Sequence, residues 1–288
     1  MKIGFIGVGI MGKPMVRNLM KAGFDLNIYA RHPEKVRDVV AEGATLHDSI
    51  ASCVENSDVV ITIVGFPKDV EDVYFSPDGI LAHVRPGMHI IDMTTTSPTL
   101  AEKIYNEAKG KGAYALDAPV TGGETGAIAG TLSILVGGDK EAFDAMAKVF
   151  AAMGANINYL GRAGKGQHGK MANQIMIAGS LAGICEAFYY AEQEGLDLNT
   201  LLKAVATGAA GSKQLDFCGQ KIIDENYAPS FFMKHFIKDM KIAQDEAEMK
   251  GLNLDVLGTI LSHYQELEAQ GDGDLGTQAL IKYYKKED

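Results

Sequence analysis

Two stretches near the start of the sequence have residue types and spacing that could handle a phosphate-bearing ligand. Gly7-Val8-Gly9-Ile10-Met11-Gly12 is a GxGxxG set between the apolar run KIGFI and the helical pattern MGKPMVRNLMKAG. In that order Gly7 permits a tight turn, Gly9 lets backbone approach a pyrophosphate, and Gly12 allows close helix–strand contact. The amides that open the helix then face an anion, with the helix dipole in their favour. The segment therefore predicts dinucleotide binding through Gly7, Gly9, Ile10, Met11 and Gly12. Roughly 20 residues further on, an NAD site carries a carboxylate for the ribose 2′-hydroxyl. This chain reads Tyr29-Ala30-Arg31-His32-Pro33 there, with no acid before Glu34. An arginine pairs with a 2′-phosphate through charge-assisted bonds, so Arg31 points to NADP(H) in preference to NAD(H).

Two later segments carry polar groups that packing alone does not call for. Asp117-Ala118-Pro119-Val120-Thr121-Gly122-Gly123 ends the apolar run AYALD and opens into a Thr-Gly-Gly turn. Ligands of open α/β folds bind at that carboxyl edge. Consecutive backbone N–H groups can nest an anion there, with the Thr121 hydroxyl as a further donor. The second segment is Gly164-Lys165-Gly166-Gln167-His168-Gly169-Lys170-Met171-Ala172-Asn173-Gln174. Lys170, Asn173, Gln174 and Ile177 fall at i, i+3, i+4 and i+7, on one helical face. A lysine and two amides replace the apolar residues usual on such a face, yet by spacing alone Lys170 reads as a snorkelling or surface lysine. The seven histidines show no metal-ligand spacing and no cysteine lies near them, so no metal site is expected.

The elements that must position these groups change character along the chain. KIGFI at 2–6, LNIY at 26–29, VVITIV at 59–64, HIIDM at 89–93, AYALD at 113–117, TLSILV at 131–136 and INYL at 157–160 read as buried strands. Helical spacing fills 11–22 and 98–109. This alternation predicts a Rossmann-type, mostly parallel α/β sheet with helices on both faces. From 165 to 194 one long helix is expected, then helices at 199–207, 212–223, 234–250, 256–270 and 277–284, with no strand after 161. The tail KYYKKED reads as a solvated helix end. Two domains follow: a dinucleotide-binding domain over 1–163 and an all-helical substrate and oligomerisation domain over 164–288, with the substrate between them.

A chain of 288 residues with 47% apolar and 22% charged residues is globular and exceeds the usual single-domain size. Lys and Arg number 27 against 37 Asp and Glu, a net charge of −10. That field argues against nucleic-acid or acidic-membrane partners, though not against an anionic small ligand held by a few local cations. Cys53, Cys185 and Cys218 form no CxxC pair, the start enters a strand at once, and the apolar stretch 171–185 is too short for a span. A cytoplasmic protein is expected. The apolar surface of the helical half suggests a homodimer or homotetramer.

The four motifs together resemble the β-hydroxyacid dehydrogenase family, which includes 3-hydroxyisobutyrate dehydrogenases and tartronate semialdehyde reductases. GFIGVGIMGKPMVRNL resembles its opening signature, DAPVTGGETGAIAGTL its substrate-binding segment, GKGQHGKMANQ its catalytic segment, and Lys238-Asp239 in HFIKDMKIA a Lys-Asp of its C-terminal domain. The resemblance covers nearly the whole chain. It implies that Thr121, Gly122 and Gly123 hold a small carboxylate-bearing substrate, that Lys170 is catalytic, and that Asn173 contacts the substrate; Gln174, on the same helical face, is expected to bind it as well. Val64, Thr95 and Lys238 would lie by the cofactor. The chain departs from the family where Thr121 replaces Ser, where Gln174 replaces Asn, and where Gly276-Thr277-Gln278-Ala279 replaces an Asp-x-Ser-Ala. The activity so implied is NADP(H)-dependent interconversion of a small 3-hydroxy acid and its semialdehyde. The alternatives are a reductase of this scaffold acting on an imine or larger acid, and a non-catalytic NADP sensor or scaffold, which would keep the glycine loop without needing Lys170. A methyltransferase would favour a carboxylate over Arg31.

Overall fold

The early apolar runs carry no polar alternation because the sheet they build is covered on both faces. The computed structural model describes residues 1–285; the last three residues of the KYYKKED tail lie outside it. Among the described residues the strands are β1 (Lys2–Ile6), β2 (Asp25–Tyr29), β3 (Thr45–His47), β4 (Val59–Thr62), β5 (His89–Asp92), β6 (Tyr114–Asp117), β7 (Val120–Thr121), β8 (Leu132–Gly138) and β9 (Gly154–Gly161). They form one sheet in the order β3-β2-β1-β4-β5-β6-β8-β7, with β9 paired to β8. Strands β3 to β6 are parallel, β8 runs antiparallel to β6 and β7, and β9 runs parallel to β8. Successive side chains of a strand point to opposite faces. Accordingly Val59 and Ile61 pack with Ile3, Phe5 and Ile28 on one side, while Val60 packs with Ile6, Tyr74 and Ile90 on the other.

The strand order reverses at β1, which lies between β2 and β4. Ligands of such sheets bind outside the carboxyl ends of the strands at this switch point. The loops that leave β1, β4 and β5 at that edge contain Gly7, Val64 and Thr95 respectively, and Asp117 ends β6 there.

After β9 the chain is helical, with helices Lys165–Gln193, Leu198–Ala206, Lys213–Ile223, Met233–Glu248 and Asp255–Ala269. Their core gathers Cys185, Phe188, Phe236, Met240, Tyr264 and Leu280. The stretch expected as one helix over 277–284 is a 3-10 turn, Thr277–Leu280, followed by a helical turn, Ile281–Tyr284. Beyond β9, among the described residues, strand-type pairing is limited to a single bridge between Phe232 and Gly276. No described helix is long and apolar enough to cross a membrane.

By compactness the chain divides into two units, Met1–Lys170 and Met171–Asp288, with the start of the long helix in the sheet unit. Glycines account for that packing. A Cβ on Gly166 would collide with the carbonyl oxygens of Leu135 and Asp117, and one on Gly169 would collide with the Leu160 side chain. At Gly166 the clash is with backbone, so only glycine there lets the first turn of the long helix press against β6 and β8, while at Gly169 the atom met is the tip of the Leu160 side chain. That turn therefore belongs to the sheet unit.

Candidate active site

The glycine loop follows β1 as its spacing requires. Gly7 has φ 101°, and a Cβ there would collide with Ile63 O, while one on Gly12 would collide with Gly7 O. Close helix–strand packing thus accounts for Gly7 and Gly12. It does not account for Gly9, where a Cβ would meet no protein atom within 4 Å. The helix Gly12–Lys21 that follows has no side-chain cap, so its opening amides are not met by a side chain of their own cap residue. An open glycine before an uncapped helix start fits a dinucleotide phosphate. Ile10 is exposed and Met11 half-buried beside it. Arg31 lies just past the end of β2, its side chain 71% exposed, and pairs with Asp69 at 3.0 Å. The other Asp69 oxygen accepts from Phe66 N at 3.0 Å.

The loops after β4 and β5 are joined by buried polar groups. Val64 N donates to Thr94 Oγ1 at 2.9 Å. Thr94 N and the Thr62 hydroxyl both donate to Asp92 Oδ1, at 3.1 and 2.8 Å. Thr95 is half-buried in this loop, between the buried Thr94 and Thr96.

At the end of β6 the Asp117 carboxylate is buried and serves the start of the long helix. Its Oδ1 accepts from Gly164 N at 2.8 Å and its Oδ2 from Gln167 N at 2.9 Å. Burial pushes its pKa up to about 7, helped by nearby Asp92 and opposed by the backbone N–H donors. Gln167 is fully buried; its Nε2 donates to Thr94 O at 2.7 Å and its Oε1 accepts from Thr96 N at 3.1 Å. One turn on, Lys170 is only 7% exposed and its Nζ donates to Val120 O at 2.9 Å. The surface or snorkelling position that spacing alone favoured does not hold: Lys170 is drawn inward because the glycines of its segment bring the helix onto the sheet. Val120 is the residue before Thr121, which is half-buried in β7. Gly122 and Gly123 follow, exposed, with φ values of 129° and 61°.

The second unit carries its own polar chain. Asn173 Nδ2 donates to Gln174 Oε1 at 2.8 Å, and Gln174 Nε2 donates to Asp239 Oδ2 at 2.7 Å. Lys238 pairs with the other Asp239 oxygen at 3.0 Å. Gln174, expected among the substrate ligands, is 1% exposed with its amide engaged at both ends. Gln174 thus holds Asn173 and ties it to Asp239.

In the first unit the structure brings Val64 and the 94–96 loop together, and seats Lys170 against the strand that leads into Thr121; in the second it links Asn173, Gln174 and Lys238 through Asp239. Reading the sequence missed Asp117, Gln167 and Asp239. Asp239 was visible only as half of a Lys-Asp pair, and Asp117 as an acid just before the turn.

An open glycine ahead of an uncapped helix start fits a bound dinucleotide, and a buried lysine beside a glycine turn fits proton transfer. The class that needs both is the nicotinamide-nucleotide-dependent oxidoreductases. Comparison with known proteins agrees: residues 2–161 match the family described as the NAD binding domain of 6-phosphogluconate dehydrogenase, and residues 164–284 match that described as NAD-binding of NADP-dependent 3-hydroxyisobutyrate dehydrogenase. The chain belongs to the β-hydroxyacid dehydrogenase family and is an oxidoreductase. It is 46% identical over 284 residues to the uncharacterized oxidoreductase YkwC of Bacillus subtilis, covering 99% of both chains. It is 44% identical over 281 residues to the probable 3-hydroxyisobutyrate dehydrogenase-like 1, mitochondrial, of Arabidopsis thaliana, covering 97% of this chain and 84% of that one. Among solved structures it resembles Mycobacterium tuberculosis 3-hydroxyisobutyrate dehydrogenase with L-serine, at a TM-score of 0.91 and 29% identity over 99% of both chains.

Proposed function

We propose that the enzyme interconverts a small 3-hydroxy acid and its semialdehyde, using NADP(H) in preference to NAD(H). The observation that carries this reading is Lys170, buried and hydrogen-bonded to the carbonyl next to Thr121-Gly122-Gly123. Bound nicotinamide nucleotide supplies or accepts the hydride. Gly7, Gly9, Ile10, Met11 and Gly12 would hold its phosphates, with Val64, Thr95 and Lys238 as further contacts. The Thr121 hydroxyl and the Gly122 and Gly123 amides hold the substrate carboxylate, which fixes the carbonyl in one orientation. As an ammonium, Lys170 stabilises the growing negative charge on the carbonyl oxygen and gives it a proton; in the oxidative direction the amine takes that proton back. Asn173 contacts the substrate, steadied by Gln174. An exposed ion pair such as Arg31–Asp69 is worth only ~0–1 kcal/mol, so Arg31 is readily recruited by a 2′-phosphate. Met176 and Tyr190, large and exposed on the long helix, support a homodimer or homotetramer. The free, buried cysteines suit a cytoplasmic enzyme.

The test is a panel of short 3-hydroxy acids and semialdehydes, 3-hydroxyisobutyrate, L-serine and tartronate semialdehyde included, assayed with both nucleotides. Lys170→Ala should keep NADPH binding and lose turnover by about 10²–10⁴-fold, the range of a lost general acid, and Lys170→Arg should rescue little. Near-normal turnover of Lys170→Ala would move the proton donor elsewhere. Tight NADPH binding with no turnover across the panel would favour a sensor.

A further inference from the structure

We infer that Gln167 is a positioning residue, tying the 94–96 loop to the helix turn that carries Lys170. The inference rests on the reading of Lys170 as the proton donor and adds a residue that acts through it. Gln167 has no exposed surface, and its single amide grips the backbone on both sides of Thr95 by donating to Thr94 O and accepting from Thr96 N. Its own backbone N donates to Asp117 Oδ2. One residue thus meets three separate chain segments: the loop after β5, the end of β6 and the long helix.

The side chain needed for this grip is narrowly defined. It must donate in one direction and accept in the other, at glutamine's reach. Leucine does neither, a glutamate carboxylate only accepts, and asparagine is one methylene short. Lys170 sits three residues on in the same helix, about 4.5 Å along its axis at 1.5 Å per residue. A helix turn pinned by Gln167 and Asp117 cannot shift without moving the Lys170 ammonium relative to the Thr95 loop. Misplacing a catalytic group by about 1 Å costs on the order of 10²-fold in rate. Asp117 meets Gln167 at its backbone N, with Asp92 beside Asp117 on the sheet and Glu102 against Gly164; Lys165, His168 and Lys170 share its helix, and residues 94–96 are all threonine.

The experiment compares full-length wild type, Gln167→Leu and Gln167→Glu. Nucleotide affinity is read by NADPH fluorescence, kcat and KM across pH 5.5–9, and folding by circular dichroism. Gln167→Leu should bind NADPH within about threefold of wild type and lose kcat by on the order of 10²-fold with KM little changed. Gln167→Glu should match Leu at high pH, where an ionised carboxylate cannot donate to Thr94 O. Burial and the nearby carboxylates raise the pKa of the new acid, and its protonated form both donates and accepts. Its kcat relative to wild type should therefore recover at least tenfold as pH falls. A merely space-filling role predicts no such recovery, so a flat Glu-to-wild-type ratio, or full kcat in Gln167→Leu, overturns the inference. Should Gln167→Leu not fold, the pH ratio of Gln167→Glu decides. If wild type turns over no hydroxy acid, the proposed reaction falls, and the coupling is read instead by hydrogen exchange of residues 164–173. Slowing by NADPH in wild type and not in Gln167→Glu at high pH supports the tie; equal slowing in both overturns it.

Discussion

Replacing Gly9 by alanine adds a methyl group where the protein itself places no atom within 4 Å, and Gly9 is not among the positive-φ glycines. The folded chain therefore accepts the methyl without strain. Less backbone freedom in the unfolded chain should leave Gly9→Ala stable or stabilise it by ~0.4–1 kcal/mol. The methyl instead occupies the space a phosphate needs. Losing one charge-assisted bond there costs ~1.5–3 kcal/mol, or about ten- to a hundredfold in nucleotide affinity. Gly12→Ala should fail the other way. Its Cβ collides with Gly7 O and comes within 3.1 Å of the Phe5 ring, so the helix must lift from β1. Overpacking of this kind costs ~1–3 kcal/mol, offset by at most ~1 kcal/mol of helix propensity. At ~2–4 °C per kcal/mol, melting without nucleotide should drop by a few degrees for Gly12→Ala and not for Gly9→Ala. Circular dichroism gives the melting, and NADPH fluorescence gives the affinity without tryptophan background, since the chain has no Trp. Equal destabilisation of both variants, or wild-type NADPH affinity in Gly9→Ala, would refute this account of the loop.

Arg31→Ala should weaken NADPH binding by about ten- to a hundredfold and leave NADH unchanged; parallel fluorescence titrations decide, and equal effects on both would remove the 2′-phosphate contact. Asp117 titrates near 7 when buried, against an ordinary 3.8. Between those values the unfolded carboxyl is ionised while the folded one holds its proton, so its contribution to stability falls as pH rises through that window and levels off above it. Urea midpoints at pH 5 and pH 8 should therefore drop more in wild type than in Asp117→Asn, and parallel pH slopes would count against the assignment. Asp239→Ala removes the buried anion shared by Lys238 and Gln174 and should cost ~3–5 kcal/mol, read as a fall in the urea midpoint; a loss under ~1 kcal/mol would show that the pair is not held dry.

Much of the sheet was legible because burial on both faces leaves continuous apolar runs such as VVITIV. Strands β3 and β7 were not, since Thr45-Leu46-His47 and Val120-Thr121 are too short and too polar to show a pattern and exist through pairing with β2 and β8. The glycine loop could be read because its chemistry is local: turn, phosphate approach and helix start fall within six residues. Lys170 could not be placed by its own segment, because its acceptor, Val120 O, is fifty positions earlier. The same distance hid Asp117, whose partners are the backbone amides of Gly164 and Gln167. The tie that Gln174 makes was hidden in the same way. Only Asp239, 65 positions away, reveals where its amide is used.

The glycine-mediated seating of the long helix bears on how this scaffold can be recombined. The turn at 161–164 looks like a natural crossover for joining the helical half of one relative to the sheet half of another. A splice there would import residues 165–170 from the donor and set a foreign helix start against the host's Leu135, Asp117 and Leu160. Any donor side chain larger than hydrogen at the position of Gly166 would hold the helix off the sheet, and the lysine with it. A splice after Lys170 keeps Gly166, Gln167, Gly169 and Lys170 with the sheet they were shaped against. Chimeras cut there exchange Asn173 together with its partners while leaving Lys170 seated.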